Sequence, residues 1–217
     1  MRAALLAAAV AGCVAVAGGC TTTSAEPDEA FHAEDNPTVR PRVQDVDATG
    51  VLVVGDSLTN GATMFGDLEA RLGDAGFDDV TVIAQDGRDT EWGIRQVRRR
   101  ESVAPVAVIE LGTNPGAQTE GYQESVATMV EELRLRGAEE IVWVTPVFGR
   151  DDRYAEKDAI LRSTPGVDVV DWASVVHADP GRLAVDGLHP TEQGYATLAE
   201  FLTTAAVTAA NRLPAER

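Results

Sequence analysis

Five short runs of β-branched and aliphatic residues constrain this chain more than any other feature: Val51–Val54, Val80–Ala84, Val106–Leu111, Ile141–Thr145 and Val167–Val170. They are nearly continuous in apolar character rather than alternating. Strands of that kind are buried on both faces, as in a parallel sheet covered by helices. The stretches between them carry helical spacing. Phe65, Leu68 and Leu72 fall on one face, as do Tyr122, Val126, Met129, Val130 and Leu133, and again Tyr195, Leu198, Ala199 and Leu202. Gly76 and Gly137 stand where helix C-caps belong. Five strand–helix units predict an α/β fold, a three-layer α/β/α domain with a five-stranded parallel sheet in strand order 2-1-3-4-5. The chain shows no internal repeat.

Composition narrows the function. The 217 residues suffice for one domain and a tail, and 44% are hydrophobic, enough to bury a full core. With 35 acidic and 18 basic residues the net charge is −17. That balance argues against nucleic acid as a partner, which calls for a basic face, and suits a soluble or extracellular surface. The two cysteines, Cys13 and Cys20, both precede the domain, so no disulfide or thiolate metal site is expected within it. His32, His177 and His189 are dispersed, and no metal or other cofactor is expected.

Residues 1–19 read as an export signal: Arg2, then an uncharged stretch dominated by Ala, Val and Leu, then Gly18-Gly19 before Cys20. Val16-Ala17-Gly18-Gly19-Cys20 resembles the lipobox of a bacterial lipoprotein signal peptide, which implies lipidation of Cys20 and anchoring to a membrane. Val10-Ala11-Gly12-Cys13 also fits that pattern, with a shorter apolar region before it. Ordinary cleavage and an uncleaved anchor are the other readings. Residues 20–49 are rich in Thr, Ser, Glu, Asp and Pro and read as a disordered tether containing His32. About 29 flexible residues span roughly 30 Å on average. Residues 50–217 form the domain, which is read as a monomer.

In such sheets the ligand site lies beyond the C-terminal ends of the strands. Ser57 follows the first run, Gly87 the second, Asn114 the third, and Val147-Phe148-Gly149 the fourth; Asp186 and His189 follow the fifth. A serine needs a base to take its proton, a histidine base works better when a carboxylate orients it, and the tetrahedral intermediate needs donors for its oxyanion. Ser57 is the candidate nucleophile, although Asp56-Ser57 can also simply cap the next helix. His189 precedes Pro190 and the N-cap residue Thr191, and Asp186 can turn back to its Nδ1–H. The Asn114 amide and the Gly87 N–H are candidate oxyanion donors, though both residue types also suit ordinary turns.

Gly55-Asp56-Ser57-Leu58, Gly87, Gly112-Thr113-Asn114 and Asp186-Gly187-Leu188-His189 together resemble the SGNH (GDSL) hydrolase family over about residues 50–205. The resemblance implies a flavodoxin-like fold and a cofactor-free esterase, lipase or acyltransferase. It implies Ser57 as nucleophile, His189 as base and Asp186 as its partner. The oxyanion hole would comprise the Ser57 N–H, the Gly87 N–H and the Asn114 side chain. Many members carry Asp after this asparagine, where Pro115 stands here. The run Ile109–Asn114, with Val170-Asp171-Trp172 later, is similar to SGNH domains attached to cell-wall and polysaccharide O-acetyltransferases.

The resulting expectation is an exported serine esterase on the outer face of the membrane, acting on short acyl esters, above all acetyl groups on carbohydrate or cell-wall glycan. The alternatives are acyl transfer to a sugar, a lysophospholipase-type lipid esterase, and a non-catalytic binding module. Trp92, Phe148 and Tyr154 are candidates to line an acyl pocket, Trp143 is expected in the core and His177 on the surface. Arg95, Arg98, Arg99 and Arg100 read as a solvated helix end, or as a contact for an anionic polymer or lipid.

Overall fold

A computed structural model describes residues 49–116, 118–149 and 152–214. The export signal at 1–19, the tether at 20–49 save Thr49, and with them Cys13, Cys20 and His32 lie outside the described residues.

The apolar runs become strands β1 (Gly50–Gly55), β2 (Asp79–Ala84), β3 (Val106–Glu110), β4 (Glu140–Val144) and β5 (Asp168–Val170). They form one sheet, ordered β2-β1-β3-β4-β5, with every pairing parallel. This is the order read from the sequence. Gly55, the last residue of β1, pairs with both Ala84 and Glu110, the last residues of β2 and β3. The three strands therefore end in line, and the loops that follow open onto one rim.

Helices α1 (Ser57–Gly66), α2 (Leu68–Ala75), α6 (Trp172–Ala178) and α7 (Glu192–Ala210) supply apolar side chains to one face of the sheet. Leu58, Leu72, Trp172, Phe201 and Leu202 meet Val51, Val53, Val106 and Val108 there, all nearly or wholly buried. Helices α3 (Thr90–Arg98), α4 (Tyr122–Leu135) and α5 (Ala155–Ser163) cover the other face. There Ile94, Met129, Leu133 and Leu161 pack with Leu52, Val54 and Ile109. The period-2 geometry of a strand sends alternate residues of β1 into the two clusters.

One helical face departs from expectation. Leu68 and Leu72 are fully buried on α2, but Phe65 belongs to α1 and is 54% exposed, against the Tyr195 ring. Asp67, in the left-handed region at φ 55°, divides the stretch. The cause lies in the packing on α7: a Cβ on Gly66 would stand 2.6 Å from the Tyr195 carbonyl oxygen. The chain meets α7 there and turns before laying α2 against the sheet.

Candidate active site

The turn from β1 into α1 is built around two residues that accept crowding. A Cβ on Gly55 would stand 1.9 Å from Thr59 Oγ1, so only glycine lets the helix begin so close to the strand. Asp56 is the N-cap, its Oδ1 accepting the Leu58 N–H at 3.0 Å. Ser57 is thus the first residue of α1, and its N–H has no acceptor within the helix.

Ser57 Oγ lies 3.0 Å from His189 Nε2, although 132 residues separate them in sequence. His189 Nδ1 lies 2.8 Å from Asp186 Oδ2. The other oxygen of Asp186 accepts the N–H groups of Leu188 at 2.9 Å and His189 at 3.0 Å. These bonds, the backbone one from Leu188 foremost, hold the Asp186 carboxyl below its ordinary value. The loop is pinned at both ends. Leu183 bridges Pro190, Ala184 N–H donates to the His189 carbonyl at 2.7 Å, and Thr191 N–H donates to the Arg182 carbonyl at 2.8 Å. Thr191 then caps α7, accepting the Gly194 N–H at 3.1 Å.

Asn114 stands beside this row, between β3 and α4. Its Nδ2 donates to Asp56 Oδ2 at 2.9 Å and to the Arg88 carbonyl at 3.2 Å. Both amide hydrogens thus have protein acceptors, and the longer bond is the one a developing oxyanion can compete for. Gly87, at φ 69°, is exposed on the loop leaving β2. Its conformation is one that other residues adopt only with strain.

Two carboxyl groups lie beneath the serine, both almost fully buried: Asp56 and Glu110. The register that sets Glu110 beside Gly55 brings them together. Glu110 Oε2 accepts from the Thr59 N–H at 3.2 Å and the Thr59 hydroxyl at 2.9 Å. Burial, reinforced by the nearby Asp56, pushes the Glu110 carboxyl well above its ordinary value. Burial also raises Asp56, to about 6, against the pull of the Leu58 N–H and of hydrogen bonds from Glu110 and Asn114. A proton kept on Glu110 makes it a donor to Asp56, which leaves Asp56 as the acceptor for Leu58 and Asn114.

The segment carrying Asn114 is held from behind. Trp143 Nε1 donates to the Leu111 carbonyl at 2.8 Å, and the Tyr154 hydroxyl donates to the Thr113 carbonyl at 3.0 Å. Lys157, 1% exposed on α5, donates to the carbonyls of Gly112 at 2.6 Å and Gly116 at 2.5 Å. Its ammonium also lies 4.8 Å from the Tyr122 ring centroid and 5.6 Å from that of Tyr154. Burial lowers this ammonium to about 8.

The structure therefore brings Ser57, His189, Asp186 and Asn114 together on the rim where the sequence set them. The candidate pocket residues divide. Trp92 and Phe148 are half-buried, with the Arg88 guanidinium 5.9 Å from the first ring and that of Arg153 3.6 Å from the second. Tyr154 is buried behind the Asn114 segment. Trp143 is in the core as expected, whereas His177 is half-buried in the last turn of α6 rather than on the surface. Arg95 and Arg98 occupy the last turn of α3, and Arg98 pairs with Glu132 at 2.7 Å.

Sequence reasoning passed over Glu110, Lys157 and the buried half of Asp56's role. Two of these left a signal. Glu110 is a charge ending an otherwise apolar strand, and Lys157 stands four residues before Leu161, on the face that α5 buries.

The model of the GDSL-like lipase/acylhydrolase family matches residues 53–197, about two thirds of the chain. No curated protein matches the chain. Among solved structures, the catalytic domain of peptidoglycan O-acetyltransferase A from Streptococcus pneumoniae is similar, at 22% identity and a TM-score of 0.60, over 77% of this chain and 97% of that one. The acetyl xylan esterase AlAXEase is 17% identical with a TM-score of 0.59, over 72% of this chain and 98% of its own. An acetyl xylan esterase from Geobacillus stearothermophilus is 17% identical with a TM-score of 0.56, over 76% and 98%. At these identities the likeness to solved structures speaks for the fold. The family match covers the whole stretch from β1 into α7, and by it this chain belongs to the GDSL-like lipase/acylhydrolase family, as an ester-hydrolysing enzyme.

Proposed function

We propose that the protein is an exported serine esterase that removes short acyl groups, acetyl first, from carbohydrate or cell-wall glycan. The observation that carries the chemistry is the continuous row from Ser57 Oγ through the His189 ring to Asp186, with bonds of 3.0 and 2.8 Å. Ser57 Oγ attacks the ester carbonyl carbon while His189 Nε2 takes its proton. The carbonyl oxygen becomes the oxyanion and draws on the Ser57 N–H, the Gly87 N–H and the Asn114 hydrogen now resting on Arg88. The tetrahedral intermediate collapses, the C–O bond to the alcohol breaks, and the alcohol leaves with the proton from His189. Water then attacks the acyl-serine, with His189 again as base, and the carboxylic acid departs. Asp186 holds the imidazole tautomer and stabilises its protonated form without itself taking the proton.

The preference for short acyl groups is supported by the filled space behind the Asn114 segment, where buried Tyr154 and Lys157 stand. The similarity to acetyl xylan esterases and to a peptidoglycan O-acetyltransferase accords with an acetylated glycan. Acyl transfer to a sugar hydroxyl is the second reading, because the same row serves when a sugar replaces water. A series of p-nitrophenyl esters of increasing chain length tests the proposal. The highest kcat/KM is expected for acetate and a steep decline by octanoate; a maximum at octanoate would point to lipid esters instead.

Export rests on the N-terminal sequence alone. Cys20→Ser is expected to move the protein out of the bacterial membrane fraction or to block its processing, with Cys13→Ser unchanged. The reverse pattern would make Cys13 the lipidated residue.

A further inference from the structure

The carbonyl oxygens that flank Asn114 are taken up by side chains of α5 and of its N-cap residue, Tyr154, none of which belongs to the reacting row. Lys157 reaches from α5 to the carbonyls of Gly112 and Gly116, two residues to either side of Asn114. Between those points Tyr154 holds the Thr113 carbonyl. Lys157 is a cation at 1% exposure, and its ammonium meets two carbonyl oxygens and two aromatic rings, all neutral. Burying a charge in this way is costly unless its hydrogen bonds are well made. An uncharged core residue would fill the same space without that cost. The arrangement fits a part whose task is to fix the backbone it holds. That backbone carries Asn114, whose amide bonds to Asp56, the residue before Ser57, and preorganised donors stabilise a transition state because they need no rearrangement as charge develops.

We propose that Lys157 is a positioning residue for ester hydrolysis: its ammonium clamps the Gly112–Gly116 segment so that the Asn114 amide is aimed at the oxyanion, with Tyr154 as the second point of the clamp. The proposal rests on the serine esterase reading given above. It also accounts for the absence of an acidic residue after Asn114, since Pro115 offers no side-chain hydrogen bond and the segment is held by its carbonyls instead. Lys157 does not touch substrate, so its effect passes through Asn114.

The test is a double-mutant cycle on the purified full chain, with p-nitrophenyl acetate as substrate and Ser57→Ala as the inactive control. Lys157→Met keeps the length of the side chain and removes the charge and the donors. It is expected to lower kcat about 10–100-fold, the scale of a small misplacement of a catalytic group, with KM changed less than about threefold. Asn114→Ala is expected to lower kcat by roughly 10²–10³-fold, the usual effect of losing one oxyanion donor. In the Asn114→Ala background, Lys157→Met should cost less than about threefold more, because the clamp then has nothing to aim. Tyr154→Phe, which removes one hydrogen bond and little else, provides the same comparison if Lys157→Met does not fold. Its smaller kcat loss should likewise vanish in the Asn114→Ala background. Losses that multiply across the cycle, or a folded Lys157→Met enzyme with wild-type kcat, would overturn the positioning role. If the wild type shows no hydrolysis that Ser57→Ala abolishes, the esterase reading itself fails, a result separate from either.

Discussion

Asp186 accepts three hydrogen bonds, two from its own backbone turn and one from His189, and it makes them from an exposed loop. Because the turn bonds are local, the carboxylate stays in place whether or not the imidazole is charged. In the mechanism proposed above His189 is the base and Asp186 orients it, so the two should differ in kinetic weight. His189→Ala is expected to reduce kcat nearly as far as Ser57→Ala, and combining the two should add little, since groups that act as one unit are not additive. Asp186→Ala should be milder, because a misoriented imidazole still works part of the time. Steady-state kinetics of the three single variants and the double variant decide this. If His189→Ala retains more activity than Asp186→Ala, the row has been assigned in the wrong order and the half-buried His177 becomes the next base to examine. At this scale the sequence was readable where a residue's role is local. Asp186 and His189 stand three apart before an N-cap, and their contact needs little else. Asp56 and Glu110 were not readable as a pair, because only the register of β1 on β3 joins them. Lys157 shows in the sequence only as a charge on the face that α5 buries, and the carbonyls it meets are set by the fold.

At the scale of elements, α7 does more than cover the sheet. Its first turn carries the loop that presents His189, through the Thr191 cap and the contacts of Arg182 with Thr191. Gly194 sits at the tightest point: a Cβ there would stand 2.0 Å from the Arg182 carbonyl oxygen and 2.9 Å from the Pro190 Cβ. The first of these is backbone and has no rotamer by which to escape. Gly194→Ala is therefore expected to destabilise the protein by about 1–3 kcal/mol, the usual range for overpacking. It should also lower kcat, because the 182–190 loop must move to make room. Chemical denaturation and acetate-ester kinetics measure the two effects. Unchanged stability with unchanged kcat would show that α7 does not hold the loop in this way. Neither the Gly194 contact nor the break at Asp67 was legible in the periodicity of the chain. Helical spacing reports which face is apolar, but a close crossing between α1 or α2 and α7 depends on tertiary contacts that spacing does not encode.

The whole molecule explains why the order of the sheet was legible when its fine packing was not. Five apolar runs of strand length, joined by helical stretches, leave few arrangements that keep crossovers right-handed and both faces covered. That topology sets the first and third strands side by side, and a ligand site forms beyond their C-terminal ends. Ser57 and Asn114 leave those two strands, and the last long helix returns across the sheet to bring His189 within 3.0 Å of the serine. The fold thus assembles from distant segments a row that has chemical meaning only when complete. Ser57 is the proposed nucleophile of that row. Labelling the full chain with a fluorophosphonate, followed by mass spectrometry of the peptides, tests this most directly. A single adduct on Ser57 is expected, absent in a Ser57→Ala protein that keeps the wild-type circular dichroism spectrum. An adduct on another residue, or labelling that persists in Ser57→Ala, would contradict it.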